Sequence, residues 1–209
     1  LYCEQLGDPR AVGPSDGLAG IRHAAQRAAS LTRQLLAFGR KQVLEPRVVD
    51  LGELAEGLRE ILRGLVGSAI QLQVEVENGL WAVHVDSGQV EQVLVNLAIN
   101  ARDAMPGGGA FTVRVSNVHA SHAAEVGAPE GCDFVMLEAI DNGQGMTADI
   151  KERIFEPFFT TKEPGQGTGL GLATVYGIVR QSGGEISVWS APGEGNRFQI
   201  FFPRTGGAP

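Results

Sequence analysis

The chain has 209 residues, 43% of them hydrophobic and 20% charged, with a net charge of −7. That balance is ordinary for a globular protein, and the acidic surplus excludes non-specific binding to nucleic acid or an anionic membrane, both of which need a basic surface. A phosphate ligand must therefore be held by local groups or a metal, and no run approaches the ~20 apolar residues of a membrane span, so no direct membrane contact is expected.

Length allows one domain with an appendage or two small domains. Cys3 and Cys132 stand in no metal-ligand spacing and read as free thiols in a reducing, cytoplasmic compartment. With no initiator Met and no signal-peptide pattern, the chain reads as a piece of a longer protein, which could itself carry a membrane anchor.

In chain order, residues 17–42 have the pattern of one amphipathic helix. Leu18, Ile21, Ala25, Ala28, Leu31, Leu35 and Phe38 step by three and four, with Ser15 or Asp16 as a cap. Such a stripe needs partner helices or a second chain to cover it. From Glu45 the texture changes. "PRVVDL" reads as a short strand, and a helix is expected over Leu51–Leu65. "IQLQVEVE" (70–77) and "WAVHVD" (81–86) alternate as strands, and Asp86 or Ser87 caps a helix running to Met105. "AFTVRVSNV" and "DFVMLEAID" are two further strands around a polar loop at 119–131. Helices are expected at 148–154 and from Thr168 to Ser182. "GEISVWS" and "NRFQIFFP" close the chain as a hairpin turned by Pro192, Gly193 and Gly195. Frequent hairpins among helices imply a mixed or antiparallel sheet with helices on one face.

Three stretches carry chemistry. In "EQVLVNLAINARDAM" (91–105), Leu94, Leu97, Ala98 and Ala101 form the core stripe, while Asn96, Asn100 and Asp103 share another face. Asparagine is a poor helix-interior residue, and an amide oxygen is a hard neutral ligand suited to Mg²⁺. An exposed polar face is the other reading of these residues. In "DNGQGM" (141–146), a carboxylate stands beside glycines that let a planar ligand approach, and Asp141 can accept from an exocyclic amine such as that of adenine; alone, the pattern also suits a plain turn. In "FEPFFTTKEPGQGTGLGLATVYGIV" (155–179), Phe155, Phe158 and Phe159 ask for burial. Gly165, Gly167, Gly169 and Gly171 then lead into a helix whose start can bind an anion. The spacing fits neither a P-loop nor a dinucleotide fingerprint, and no protein-kinase motif is present.

Asn-helix, D-x-G-x-G, Phe-rich loop and G-x-G-x-G, in that order, resemble the ATPase domain of bacterial sensor histidine kinases, within the wider class of Hsp90-type chaperones, type II topoisomerases and mismatch-repair ATPases. The resemblance covers residues 17–204, and "RAASLTRQLLAFGRKQ", "NLAINARDAM" and the 155–179 run look like the hybrid cell-cycle and PAS-linked kinases. It implies an α+β fold: a two-layer sandwich of a mixed, mostly antiparallel sheet with three helices on one face. Residues 1–45 would hold the end of a dimerisation region, with 17–42 its second helix completing a four-helix bundle in a homodimer, and 46–209 the ATP-binding domain.

The same resemblance assigns roles. Asn96, Asn100 and Lys162 are the expected catalytic residues, with Asn100 the Mg²⁺ ligand. Asp103, Asp141, Gly143, Gly145, Met146, Phe155, Phe158, Thr161, Lys162, Gly167, Thr168, Gly169, Leu170 and Gly171 are expected to meet ATP, Asp141 by reading adenine. Lys162 would travel in a lid hinged at the glycines, disordered or displaced without nucleotide and ordered with it. The expected chemistry is transfer of the ATP γ-phosphoryl to a histidine and then to a receiver-domain aspartate. No histidine fits the acceptor's usual context: His23 falls in the second helix, His84 in a strand, and His119 and His122 in a loop. The acceptor is expected upstream of Leu1. Two other readings remain at this point. One is an ATPase of the chaperone or mismatch-repair type, although Asn96 stands where those enzymes place a glutamate base. The other is a nucleotide-sensing dimerisation module without catalysis.

Overall fold

A computed structural model describes residues 45–122, 131–163 and 167–206. All of them fall in the unit Leu44–Pro209. The expected helix over 17–42 and its dimer, Cys3, His23, most of the 119–131 loop and Gly165 lie outside the described residues.

The order is β1 (Arg47–Val49), α1 (Leu51–Gly57), α2 (Arg59–Val66), β2 (Ile70–Val76), β3 (Val83–Val85), α3 (Ser87–Ala104), β4 (Gly109–Val118), β5 (Phe134–Asp141), α4 (Ala148–Arg153), α5 (Gly171–Gln181), β6 (Glu185–Ser190) and β7 (Asn196–Pro203). Five strands form one sheet in the order β2-β4-β5-β7-β6. β2 runs parallel to β4 and the other pairs are antiparallel, the mixed, mostly antiparallel sheet that the hairpin-rich sequence implies. The parallel pair needs a crossover, which β3 and α3 supply.

Two expectations are corrected. The helix expected over 51–65 is two helices meeting at Leu58. The 81–86 strand is shortened to Val83–Val85 and pairs with β1 outside the main sheet, because its short apolar run fits a two-stranded ribbon as readily as a sheet strand.

Acidic caps fix the helix starts. Asp50 Oδ1 accepts the Gly52 and Glu53 amides at 2.7 and 3.1 Å. Asp86 Oδ1 accepts the Gln89 amide at 3.1 Å, making Asp86 rather than Ser87 the cap of α3. The stripe expected on α3, Leu94, Leu97, Ala98 and Ala101, is buried along with Val90 and Val93. It packs in one core cluster with Leu62 of α2, Val175 and Val179 of α5, and Val113, Val115, Val135, Leu137, Ile200 and Phe202 of the sheet. The alternate strand residues Val118, Phe134, Met136 and Phe201 form a second, small cluster; period-two alternation puts them on the face away from the helices.

Candidate nucleotide-binding site

The site gathers where β5 ends and β7 begins. Period-two alternation places Asp141 on the same face as the core residues Val135, Leu137 and Ala139, and its side chain is buried at 5% exposure. Asn196 Nδ2 donates to both carboxylate oxygens at 3.0 Å, and the Gly143 amide donates to Oδ1 at 2.9 Å. Burial pushes the Asp141 carboxyl above its ordinary value of 3.8, against the pull of the Asn196 and Gly143 hydrogen bonds.

Asn196 is held in turn. Ser190 Oγ donates to its Oδ1 at 2.8 Å and accepts the Met146 amide at 2.8 Å. The relay Met146–Ser190–Asn196–Asp141 ties the turn after β5 to the closing hairpin. Asn196 and Ser190 are absent from the residues expected above. Their part follows from strand pairing, Asp141 opposite Asn196 and Asn196 opposite Ser190, which residue spacing alone does not reveal.

The 142–146 turn is fixed from three sides: the Gln144 amide donates to the Ala104 carbonyl at 3.0 Å, the Gly193 amide to the Gln144 carbonyl at 2.8 Å, and the Ala110 amide to Asn142 Oδ1 at 2.8 Å. Gly143 abuts the carbonyl of Ala104. Gly145 has φ +64°, and a Cβ built on it would lie 1.9 Å from the Ala191 carbonyl oxygen. The closest approach at this glycine is thus made by the protein's own backbone. Gly145→Ala is expected to destabilise the fold by about 2–3 kcal/mol in denaturant unfolding; a loss under about 1 kcal/mol would contradict the interlock.

On α3, Asn96, Asn100 and Asp103 are half-buried and Asn96 and Asn100 face the start of α5. A Cβ on Gly171 would lie 3.7 Å from Asn100 Nδ2 and 4.0 Å from Asn96 Oδ1. Asn100 Nδ2 is buried without a hydrogen-bond partner among the described residues. An unsatisfied buried donor costs about 1–3 kcal/mol, and native proteins keep few of them. A phosphate oxygen would satisfy it. The oxygen and nitrogen of the amide exchange places by rotation about one bond, so the same side chain also fits a hard cation.

In the 155–171 run, Phe155 stacks on Tyr176 with ring centroids 5.2 Å apart, and Phe159 lies under the Arg153 guanidinium at 4.3 Å. Phe158 overturns the expectation that all three rings bury, since it is 69% exposed. Its amide donates to the Gly169 carbonyl at 2.9 Å, and a backbone φ of +68° accompanies that contact. The arms of the loop touch again at Gly167, where a Cβ would lie 2.5 Å from Thr160 Oγ1. Thr161 is exposed, Thr168 Oγ1 accepts the Leu170 amide at 3.3 Å, and Leu170 is buried. The last helix begins at Gly171, three residues later than expected, because Gly169 sits at φ +64°, outside the helical region. Lys162 Nζ lies 2.5 Å from Asp103 Oδ2.

The family model described as histidine kinase-, DNA gyrase B-, and HSP90-like ATPase matches residues 85–206. The chain belongs to that ATPase family. Membership supports ATP as the nucleotide it uses. Among relatives, it is 52% identical over 203 residues to the sensor kinase CckA of Brucella abortus (strain 2308), across 95% of this chain and 21% of that protein. It is 34% identical over 199 residues to the sensor histidine kinase ZraS of Klebsiella oxytoca, across 92% of this chain and 40% of that protein. Among solved structures, a mycobacterial sensor histidine kinase, MprB, superposes with a TM-score of 0.61 at 27% identity, across 77% of this chain and 98% of that one. The chain thus spans well under half the length of these two curated relatives. Its family members named here are kinases, and the sandwich described above is the ATPase-family fold.

Proposed function

We propose that the chain is the ATP-binding catalytic part of a two-component sensor histidine kinase, moving the γ-phosphoryl of ATP to a histidine and from there to a receiver-domain aspartate. The observation that carries this reading is the buried Asn100 Nδ2, which faces Gly171 and has no partner among the described residues, on a chain whose relatives are sensor kinases.

In this reading the Asp141 carboxylate accepts the exocyclic amine of adenine, next to Gly143, Gly145 and Met146. Asn100 is the side chain suited to Mg²⁺, which when bound neutralises phosphate charge. Lys162 and the backbone N–H groups of Gly167, Thr168, Gly169 and Gly171 meet the phosphates, joined by that of Leu170 once it leaves Thr168 Oγ1, and aided by the positive end of α5. Phe155 and Phe158 flank the loop, with Thr161 at its exposed side. Phosphoryl transfer needs positioning and charge stabilisation rather than a covalent protein group, and these residues offer that.

Kinase chemistry is favoured over hydrolysis because, among the described residues, neither side chain that shares the polar face of α3 with Asn100 is a free base. Asn96 is an amide and cannot take a proton from water at neutral pH, and Asp103 is already engaged by Arg102 and Lys162. His119 lies at the opposite end of the sheet from Asp141, since it follows Val118, which pairs with Phe134 at the start of β5. Homodimerisation through residues 17–42, a receiver-domain partner and a cytoplasmic location belong to the same proposal. Among the described residues, no helix is long and apolar enough to cross a membrane. Incubating the 209-residue chain with Mg-ATP is expected to give no sustained phosphate release; steady turnover would favour the ATPase class instead.

The state of Asp141 gives a second test. Because its carboxyl is raised above 3.8 in the free protein, its contribution to stability is full below 3.8 and is lost as pH rises through the raised value. An amine donating to the ionised form draws the pKa down. Carboxyl NMR titration is expected to show a midpoint above 3.8 without ADP and a lower one with saturating ADP. A midpoint that ADP leaves unmoved contradicts the adenine contact.

A further inference from the structure

We infer that Asp103 is a built-in substitute for phosphate: it holds Lys162 in the nucleotide-free protein, and the nucleotide's phosphates must displace it. The inference rests on the nucleotide reading above and adds a residue that sets how strongly the site prefers polyphosphates.

Lys162 comes from the loop after α4 and Asp103 from the last turn of α3, 59 residues away in sequence, yet Nζ and Oδ2 are 2.5 Å apart. Asp103 is also held through its other oxygen. Arg102 Nε and Nη2 donate to Oδ1 at 2.9 and 2.8 Å, and Arg102 Nη1 reaches the Leu65 carbonyl at 3.4 Å. The lysine end is also built. The Lys162 amide donates to Thr160 Oγ1 at 3.2 Å, and a Cβ on Gly167 would come within 3.2 Å of Lys162 Cδ. The pair is only part-exposed, at 35% and 25% for the two side chains, so solvent weakens it less than an ordinary surface pair.

One turn earlier on α3 the Asn100 Nδ2 is without a partner among the described residues, while Lys162 already has an anion. Two groups suited to phosphate therefore stand in opposite states: one waits for an acceptor and the other is occupied by an internal one. A ligand that uses Lys162 must first break its pair with Asp103 and then tolerate that carboxylate nearby. Adenosine, with no phosphate, has no such competition.

The test compares adenosine, ADP and ATP binding to the full chain by calorimetry. Asp103→Asn removes the charge but keeps the shape. The expected result is ADP and ATP binding tightened about fivefold, the scale of one part-screened ion pair, with adenosine unchanged. In a Lys162→Gln background the same Asp103→Asn change is expected to give no gain. Equal or weaker ADP binding in Asp103→Asn would overturn the inference. So would a gain that persists without Lys162, which would mark simple charge repulsion. Wild-type protein that binds none of the three ligands would instead overturn the nucleotide reading itself, so the two failures are distinguishable.

Discussion

Replacing Asp141 with asparagine is expected to weaken ADP binding at least about 100-fold, or roughly 2.7 kcal/mol. The carboxylate is buried, and its environment supplies only donors: Asn196 Nδ2 on both oxygens and the Gly143 amide on one. What remains is acceptor capacity, which an exocyclic amine can use and a carbonyl cannot. An asparagine can still accept from Asn196 through its own oxygen, so the fold should survive. Its NH₂ would then face the amine of adenine, donor against donor. Calorimetry with ADP reads the effect, and an affinity within threefold of wild type would remove Asp141 from the base-binding role.

Asn100→Ala carries the second large effect, with opposite signs on binding and stability. Binding of Mg-ATP should fall by about 100-fold or more, because the variant loses both the amide oxygen for the cation and the donor for a phosphate oxygen. The free protein should be no less stable than wild type, and up to about 1 kcal/mol more so. The change deletes a buried Nδ2 donor that has no partner among the described residues and whose desolvation is uncompensated, while alanine is the better helix former. A residue that costs stability and is kept for its ligand is the usual sign of a functional position. Calorimetry and denaturant unfolding of the one variant test both halves. Loss of more than 2 kcal/mol of stability would mean that Asn100 is structural.

Local patterns carried much of this architecture. The Leu94, Leu97, Ala98 and Ala101 stripe placed α3, and alternation placed β2 and, one or two residues too long at its ends, β3, because one buried face imposes a period on the residues that fill it; β4, β5 and the closing hairpin were legible as apolar runs between turn-forming residues. The break at Leu58 escaped because both helices share one apolar periodicity, which outweighed the single glycine, Gly57, that stands just before the junction. The late start of α5 escaped because a glycine's sign of φ is decided by its contacts, here Gly169 against Phe158.

In the site, residues with unusual local chemistry could be read directly: asparagines inside a helix, a carboxylate beside glycines, glycines before a helix. Their partners could not. Asn196 and Ser190 matter through the register of β5, β7 and β6, and the Asp103–Lys162 pair spans separate elements. Phe158 shows the limit from the other side, since hydrophobicity argued for burial and the backbone contact to Gly169 leaves the ring exposed.

In the proposed function, Asp141, Asn100 and the 167–171 loop together hold one adenine nucleotide with its metal. Calorimetric titration of the 209-residue chain with ADP, with and without Mg²⁺, tests it most directly. The predicted result is a single site whose affinity rises with Mg²⁺ in the wild type, loses that metal dependence in Asn100→Ala and is lost in Asp141→Asn. No heat of binding in either condition, or binding indifferent to both substitutions, would contradict it.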